Sequence, residues 1–407
     1  MHTPSLKQAA AALAAALALA SCGGSGSDAP PPAEPDPGVP QAAFRLQLLA
    51  GSTAVDFDHC ESVDGEAGAA RFSHLLRATV YADAVYLAET GEACRNVRYG
   101  SDDLVPENVR PAIRRLSGTA ASTAQSFVNR VTFGGVHPVM VRYPSGFHRS
   151  ADGQTSFVLG YAAARSERGF ALDENEVARY TAQGGWHYYV PGFFRFAQDH
   201  ASYDDLIAGR PGEPPAHADG PGQAAAFVAP HDLEVDAAGL FYLIDDGRIR
   251  TIDRDHVVTT LDHAALGITG TVKALDADHQ GRIHVLTKHE GNYTWHRLAD
   301  GTRTVFQTRA VAFGIGIMTW DTFTVVGNDI VLGSRSLGGG VNSDLFRVTA
   351  AGQVTPLTGE AAPTDPAQFL QNPEQHQLPA VQHIEYGVDG HLYLVLPQGV
   401  LVARDYS

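Results

Sequence analysis

An all-β repeat fold is predicted by three features of the chain: a nine-residue element that recurs, short strand-and-turn runs that follow it, and two chain ends that complement each other. The element is Asp64-Gly65-Glu66-Ala67-Gly68-Ala69-Ala70-Arg71-Phe72, preceded by Leu48-Leu49-Ala50-Gly51. It returns as Asp219-Gly220-Pro221-Gly222-Gln223-Ala224-Ala225-Ala226-Phe227, preceded by Leu206-Ile207-Ala208-Gly209. A unit that cannot bury its own apolar face must stack on its copies, so the period decides the architecture before any single residue is interpreted.

Behind the second copy the chain runs through Ala229-Pro230-His231-Asp232-Leu233-Glu234-Val235, the turn Asp236-Ala237-Ala238-Gly239, and Leu240-Phe241-Tyr242-Leu243-Ile244-Asp245. Arg248-Ile249-Arg250-Thr251-Ile252 and Val257-Val258-Thr259-Thr260-Leu261 follow. Four short strands separated by turn residues are what a propeller blade requires. Here the chain resembles NHL-repeat propellers, whose blades read as a glycine-rich lead, a phenylalanine, Pro-His-Gly-like residues, Asp-x-x-Gly, an aromatic strand and a terminal Leu-Ala-Gly. The resemblance covers residues 206–262 and 48–99 best and is diffuse elsewhere.

A second echo pairs Phe147-His148-Arg149-Ser150-Ala151-Asp152-Gly153 with Trp295-His296-Arg297-Leu298-Ala299-Asp300-Gly301 and places a third strand with its turn in each region. Second strands are expected at Val85-Tyr86-Leu87, Val139-Met140-Val141, His187-Tyr188-Tyr189, Phe241-Tyr242-Leu243, Ile283-His284-Val285, Ile330-Val331-Leu332 and Leu392-Tyr393-Leu394. Their mean spacing of about 51 residues fills the 364 residues from Phe44 onward with seven blades; six, the commoner NHL number, is the alternative. The last copy stops at Ser407 one strand short, while Phe44-Arg45-Leu46-Gln47-Leu48-Leu49 opens the domain with a strand of the fourth type. Pairing the two would close the ring and hide two strand edges.

The first residues are not part of this fold. Lys7, an apolar run from Ala9 to Ala20 too short to span a bilayer, and Leu19-Ala20-Ser21-Cys22 resemble a bacterial lipoprotein signal. The resemblance implies a signal peptide over residues 1–21 and lipidation of Cys22. Gly23, not an aspartate, follows the cysteine, which implies the outer membrane, with the protein facing the periplasm or the cell surface. Residues 22–43 form a glycine-, serine- and proline-rich tether, and residues 44–407 the propeller. No later stretch is long and apolar enough for a membrane span, so membrane contact is expected through the N-terminal lipid.

The chain carries a formal charge of −16, or −17 once Lys7 is removed, which argues against nucleic acid as a partner. Cys60 and Cys94 remain as a pair in an exported protein, and a disulfide is the economical reading. Closing a loop of that length contributes about 3–4 kcal/mol in the chain-entropy model. Two free thiols or a metal site are the alternatives.

Propellers bind along the central channel or at its loop-rich mouth. The resemblance extends to six-bladed enzymes, the gluconolactonase-like group and the peptidylglycine amidating lyase, which hold a metal there. Aligning the position of His231 through the repeats gives Leu76, Phe127, Val177, His231, Lys273, Trp320 or Asp321, and Gln382. His231, Lys273, Asp321 and Gln382 are therefore the candidate ligand-binding residues at the mouth, a set suited to polar recognition and poor in metal donors.

No Gly-x-Ser-x-Gly elbow or phosphate-binding loop is present. Gly314-Ile315-Gly316 lacks a helix context, Gly338-Gly339-Gly340 reads as a connection, and the acidic pairs Asp102-Asp103, Asp204-Asp205 and Asp245-Asp246 read as turns. Trp186, Tyr188, Tyr189, Phe193, Phe194 and Phe196 are expected mostly in the core between blades. The sequence thus points to a binding or scaffold module for a protein or small polar ligand in the cell envelope, with no catalytic residue, metal or cofactor. The alternative is a metal-dependent lactonase or lyase.

Overall fold

Short β-rich segments joined by Asp- and Gly-containing turns build six antiparallel sheets among the described residues. A computed structural model of the chain describes residues 44–54, 61–90, 112–126, 131–133, 137–150, 152–165, 187–197, 205–210, 216–290, 292–298, 307–309, 318–336, 342–359, 361 and 368–406.

The first blade consists of Leu75–Tyr81, Ala84–Glu89, Ala112–Ser117 and Ala120–Ser126; the second of His137–Arg149, Thr155–Arg165, His187–Ala197 and Asp205–Ala208. The third consists of Pro230–Val235, Phe241–Asp245, Arg248–Ile252 and Val257–Thr260; the fourth of Thr271–Ala277, Ile283–His289, Asn292–Arg297 and Gln307–Arg309. Met318–Val326, Asp329–Ser336, Asn342–Val348 and Val354–Pro356 form the fifth. The sixth takes His383–Tyr386, Leu392–Leu396 and Gly399–Ala403, with Gln47–Gly51 as its fourth strand. That strand pairs antiparallel with Gly399–Ala403, Gln47 opposite Val402 and Gly51 opposite Gly399, so the ring closes between the two ends of the propeller as the sequence implied.

Six apolar clusters fill the seams between neighbouring sheets among the described residues. Tyr86 and Ile113 of the first blade meet Phe147, Val158, Phe194 and Phe196 of the second, and Leu159 and Phe193 of the second meet Leu233, Leu243 and Ile252 of the third. Later seams join Ile244 and Ile249 to Leu275 and Val285, then Leu286 and Trp295 to Phe323 and Leu332, then Val331 and Leu345 to Ile384 and Leu394. The sixth seam brings Val395 and Val400 against Leu75, Val85 and Leu87, completing the circuit. Phe193, Phe194 and Phe196 are all within these seams, as expected of the aromatic cluster.

The recurrent element is explained by a buried arginine that sits on the third strand and was not part of the motif. Arg250, fully buried, donates to Asp219 at 2.9 Å, to Asp245 at 2.6 Å and to the carbonyl of Ala218 at 2.7 Å. Arg114 repeats this in the first blade, donating to Asp64 at 2.7 Å and to Glu89 at 3.0 Å. Each guanidinium lies over the motif phenylalanine, Phe227 at 5.2 Å and Phe72 at 5.4 Å. The lead segment is thereby stapled onto its blade. The glycine that ends the preceding Leu-x-x-Gly run, Gly51 or Gly209, has φ of +81° or +125°, and a side chain on Gly51 would strike the carbonyl of Gln398.

Three expectations are corrected. Val139–Val141 and His187–Tyr189 are not second strands of two blades; they lie in the first and third strands of one sheet, on either side of Thr155–Arg165. Those strands run to 13 and 11 residues, so one sheet supplied two strand signatures, and the described residues form six sheets, the alternative blade number. Phe147–Arg149 closes a first strand, whereas Trp295–Arg297 closes a third, so that echo does not mark equivalent positions. Asp245 is a buried strand residue of the arginine staple and only Asp246 occupies the turn. Cys22 and the tether, Cys60, Cys94, Asp102, Asp103, Phe127, Val177, Trp186, Asp204 and the glycine runs at 314–316 and 338–340 lie outside the described residues.

Candidate functional site: the axial channel

The innermost strand of each blade lines the channel, and, apart from an earlier one between Val141 and Tyr143 in the second blade, five of the six carry one comparable one-residue irregularity. It falls between Leu75 and Arg77, Pro144 and Gly146, His231 and Leu233, Val272 and Ala274, and Trp320 and Thr322. The extra residues are therefore Leu76, Ser145, Asp232, Lys273 and Asp321. In the sixth blade Gln382 occupies the corresponding place, its N–H donating to Val395 at 2.7 Å. Lys273, Asp321 and Gln382 are thus in register as the sequence alignment had them. In the third blade the ring position belongs to Asp232, one residue beyond His231, and in the second to Ser145. A bulge adds one unpaired residue to the strand, so a repeat aligned from sequence can place the ring position one residue off. Asp232 has φ of +51°, a left-handed conformation that aspartate tolerates better than most residues.

A cavity of about 60 Å³ lies on the axis, lined by residues from all six blades, among them Arg77, Ser145, Asp232, Thr322, Gln382 and His383. Of the candidates whose side chains are described, His231, Lys273 and Gln382, only Gln382 lines it. The His231 side chain is 44% exposed, with Nδ1 3.9 Å from Asp232 Oδ1. Lys273 is half-buried beside the lining residue Ala274, and Asp321 is followed by the lining residue Thr322.

Polar channel side chains stitch each blade to the next. Asp232 accepts from Leu275 N–H at 3.1 Å, Asp276 from Val325 N–H at 2.6 Å and Thr324 Oγ1 at 3.2 Å, and Glu234 from Ala277 N–H. Thr322 accepts from Ile384 N–H at 3.1 Å and Thr324 from Tyr386 N–H at 3.0 Å. His383 accepts from Ala78 N–H at 3.4 Å and Glu385 from Val80 N–H, carrying the sixth blade onto the first. Thr79 and Ser145 donate to Phe147 and Pro230 carbonyls, continuing the circuit. Arg77 instead crosses the channel from the first blade to the third, pairing with Asp232 at 2.7 Å and with Glu234.

One guanidinium among four acids sets the electrostatics. Burial works against charge on Asp232, yet Arg77 beside it holds its carboxyl well below the usual carboxylate range. Burial pushes Glu234 and Glu385 up to about 8 each, with neighbouring acids adding to it and Arg77 opposing it. Asp276 is raised well above its ordinary value by burial and by Glu385. Burial, then Arg77, drives His383 far below the ordinary histidine value, so it is neutral. At the other end of the inner strands His279 of the fourth blade stacks on Tyr386 of the sixth, with ring centroids 5.2 Å apart.

The metal implied by the resemblance to propeller enzymes does not fit this channel. Its acids already serve Arg77 or the next blade's backbone, and among the described residues no three His, Cys, Asp or Glu side chains converge as a metal shell. Arg77, Asp232, Glu234, Asp276, His383 and Glu385 were missed from the sequence. The signal that pointed toward them was the alternation of polar residues within first strands, Asp232 and Glu234 or His383 and Glu385, otherwise expected to face a core.

Comparison with solved structures agrees with the fold. A protein of unknown function from Bacteroides thetaiotaomicron is similar over 88% of this chain and 75% of its own, with a TM-score of 0.50 and 12% identity. A putative gluconolactonase aligns over 89% of this chain and 92% of its own at a TM-score of 0.40 and 11% identity. Virginiamycin B lyase from Staphylococcus aureus aligns over 88% and 99% at 0.36 and 9%. At such identities the likeness concerns the propeller fold alone. No protein-family model matches the sequence, and no curated protein does.

Proposed function

We propose that this chain is an outer-membrane lipoprotein whose NHL-like propeller is a binding module, presenting the mouth of its channel to a protein or small polar ligand of the cell envelope. The observation that carries this reading is the engagement of the inner-strand acids. Asp232, Glu234, Asp276 and Glu385 tie neighbouring blades together or hold Arg77, which makes the channel a rigid polar frame. A frame of that kind favours recognition by preorganised hydrogen-bonding groups over metal-assisted chemistry.

Three measurements test the proposal. Cys22→Ser should release the protein from membrane fractions, and sedimentation with membranes after a high-salt wash would overturn the lipid anchor. Affinity capture from envelope extract should recover a partner that is lost when mouth residues are substituted. One equivalent of calcium or zinc per purified chain, lost on replacing Asp232 or Glu385, would favour the lactonase or lyase alternative.

A further inference from the structure

Three residues with a hydrogen-bond donor to spare, Thr322, Gln382 and His383, line the axial cavity from two adjacent blades. His383 is 7% exposed, and the Ala78 N–H bonded to its Nδ1 leaves the proton of the neutral ring on Nε2, which has no partner among the described residues. Thr322 Oγ1 accepts the Ile384 N–H, so its own proton is available for a further acceptor. Gln382 lines the same cavity, and its carboxamide has no hydrogen-bond partner among the described residues. Across the ring, on the third blade, Asp232 accepts from Arg77 and from Leu275 N–H and keeps lone pairs to spare.

Arg77 lines the cavity too, but its charge is already met by Asp232 and Glu234, so an anion entering would face Asp232 with no unpaired cation among the lining residues. A cation would face the three donors. The complementary guest is neutral, with an acceptor oxygen toward the fifth and sixth blades and an N–H toward the third. About 60 Å³ is room for a head group of a few heavy atoms, not for a whole ligand. Resting on the binding-module reading, we propose that the axial cavity recognises a terminal carboxamide, the carbonyl oxygen taken by His383, Thr322 and Gln382 and the N–H by Asp232. An asparagine or glutamine side chain of a partner, or a small amide ligand, carries that group.

The test is an NMR titration of the full chain with acetamide, sodium acetate, methylammonium chloride and ethylene glycol, read on the His383 ring and on the Ala78 and Ile384 amides. Acetamide should give saturable shifts in the millimolar range, with acetate, methylammonium and glycol at least roughly tenfold weaker, the ratio expected when a buried polar group is left unmatched. Gln382→Ala removes a side chain without a structural partner, so it should fold normally and bind acetamide less tightly. No saturable acetamide response, equal or tighter binding of any of the other three probes, or unchanged binding in Gln382→Ala overturns the assignment. Recovery of a partner by affinity capture alongside a silent acetamide titration would remove the amide site and leave the binding module standing.

Discussion

The closing strand offers a quantitative test of the ring. With the residue just before it, it places a buried leucine in each of two seams: Leu46, 3% exposed, packs with the fifth and sixth blades, where the partly buried Leu48 joins it, and Leu49, 6% exposed, packs where the sixth blade meets the first. Truncating a buried leucine to alanine costs about 2–5 kcal/mol, the lost transfer free energy plus the cavity left behind. Because the two side chains belong to separate clusters, Leu46→Ala and Leu49→Ala should be nearly additive, and the double variant should lose about 4–10 kcal/mol. That is comparable to the whole stability of an ordinary domain, about 5–15 kcal/mol. Urea unfolding followed by tryptophan fluorescence and circular dichroism, with thermal melts alongside, would read the effect. The singles should each lower the midpoint clearly, and the double should be partly unfolded or open at its sixth blade. Midpoints within error of the wild type, singly and together, would show that residues 44–50 are a tail and refute closure through this strand.

Stability should fall as pH rises from 6.5 to 8. Glu234 and Glu385, with folded values raised to about 8, keep protons there that the unfolded chain has released, which removes up to about 1.4 kcal/mol per pH unit for each glutamate. Above pH 6.5 the buried neutral histidines His148 and His383 no longer oppose this trend, since their folded values lie below the ordinary one. Glu385→Gln should flatten the slope by one proton, and a wild-type melting temperature constant across that window would count against a protonated channel. Arg250→Met should cost about 3–5 kcal/mol by stranding the fully buried Asp245, and Arg114→Met should behave alike through Glu89; urea midpoints unchanged in both would mean the staples are not structural. His231→Ala should leave the melting temperature nearly intact while weakening capture of a mouth-binding partner, because its half-exposed ring reaches no closer than 3.9 Å to Asp232; a large stability loss would contradict its position at the rim.

Repetition in the sequence was enough to establish a propeller built from four-stranded blades and closed by its own N-terminal strand, since Leu-x-x-Gly and the Asp-Gly lead recur at fixed places relative to strand patterns. Five of the seven expected second strands are second strands in the structure, because period-2 patterning and turn residues are local properties. The blade number needed the tertiary structure: strands His137–Arg149 and His187–Ala197 look alike to a local pattern, and only their pairing with Thr155–Arg165 assigns them to one sheet. The equivalent inner-strand positions were readable at Leu76, Lys273, Asp321 and Gln382 and one residue off at His231, since strand pairing and not local pattern decides which residue of a bulge is the extra one. The alternation of polar residues in first strands hinted at the channel acids, but their pairing was beyond sequence reading, since Arg77 meets Asp232 and Glu234 across more than 150 residues of chain and nothing local to any of the three encodes which acid lies across the ring.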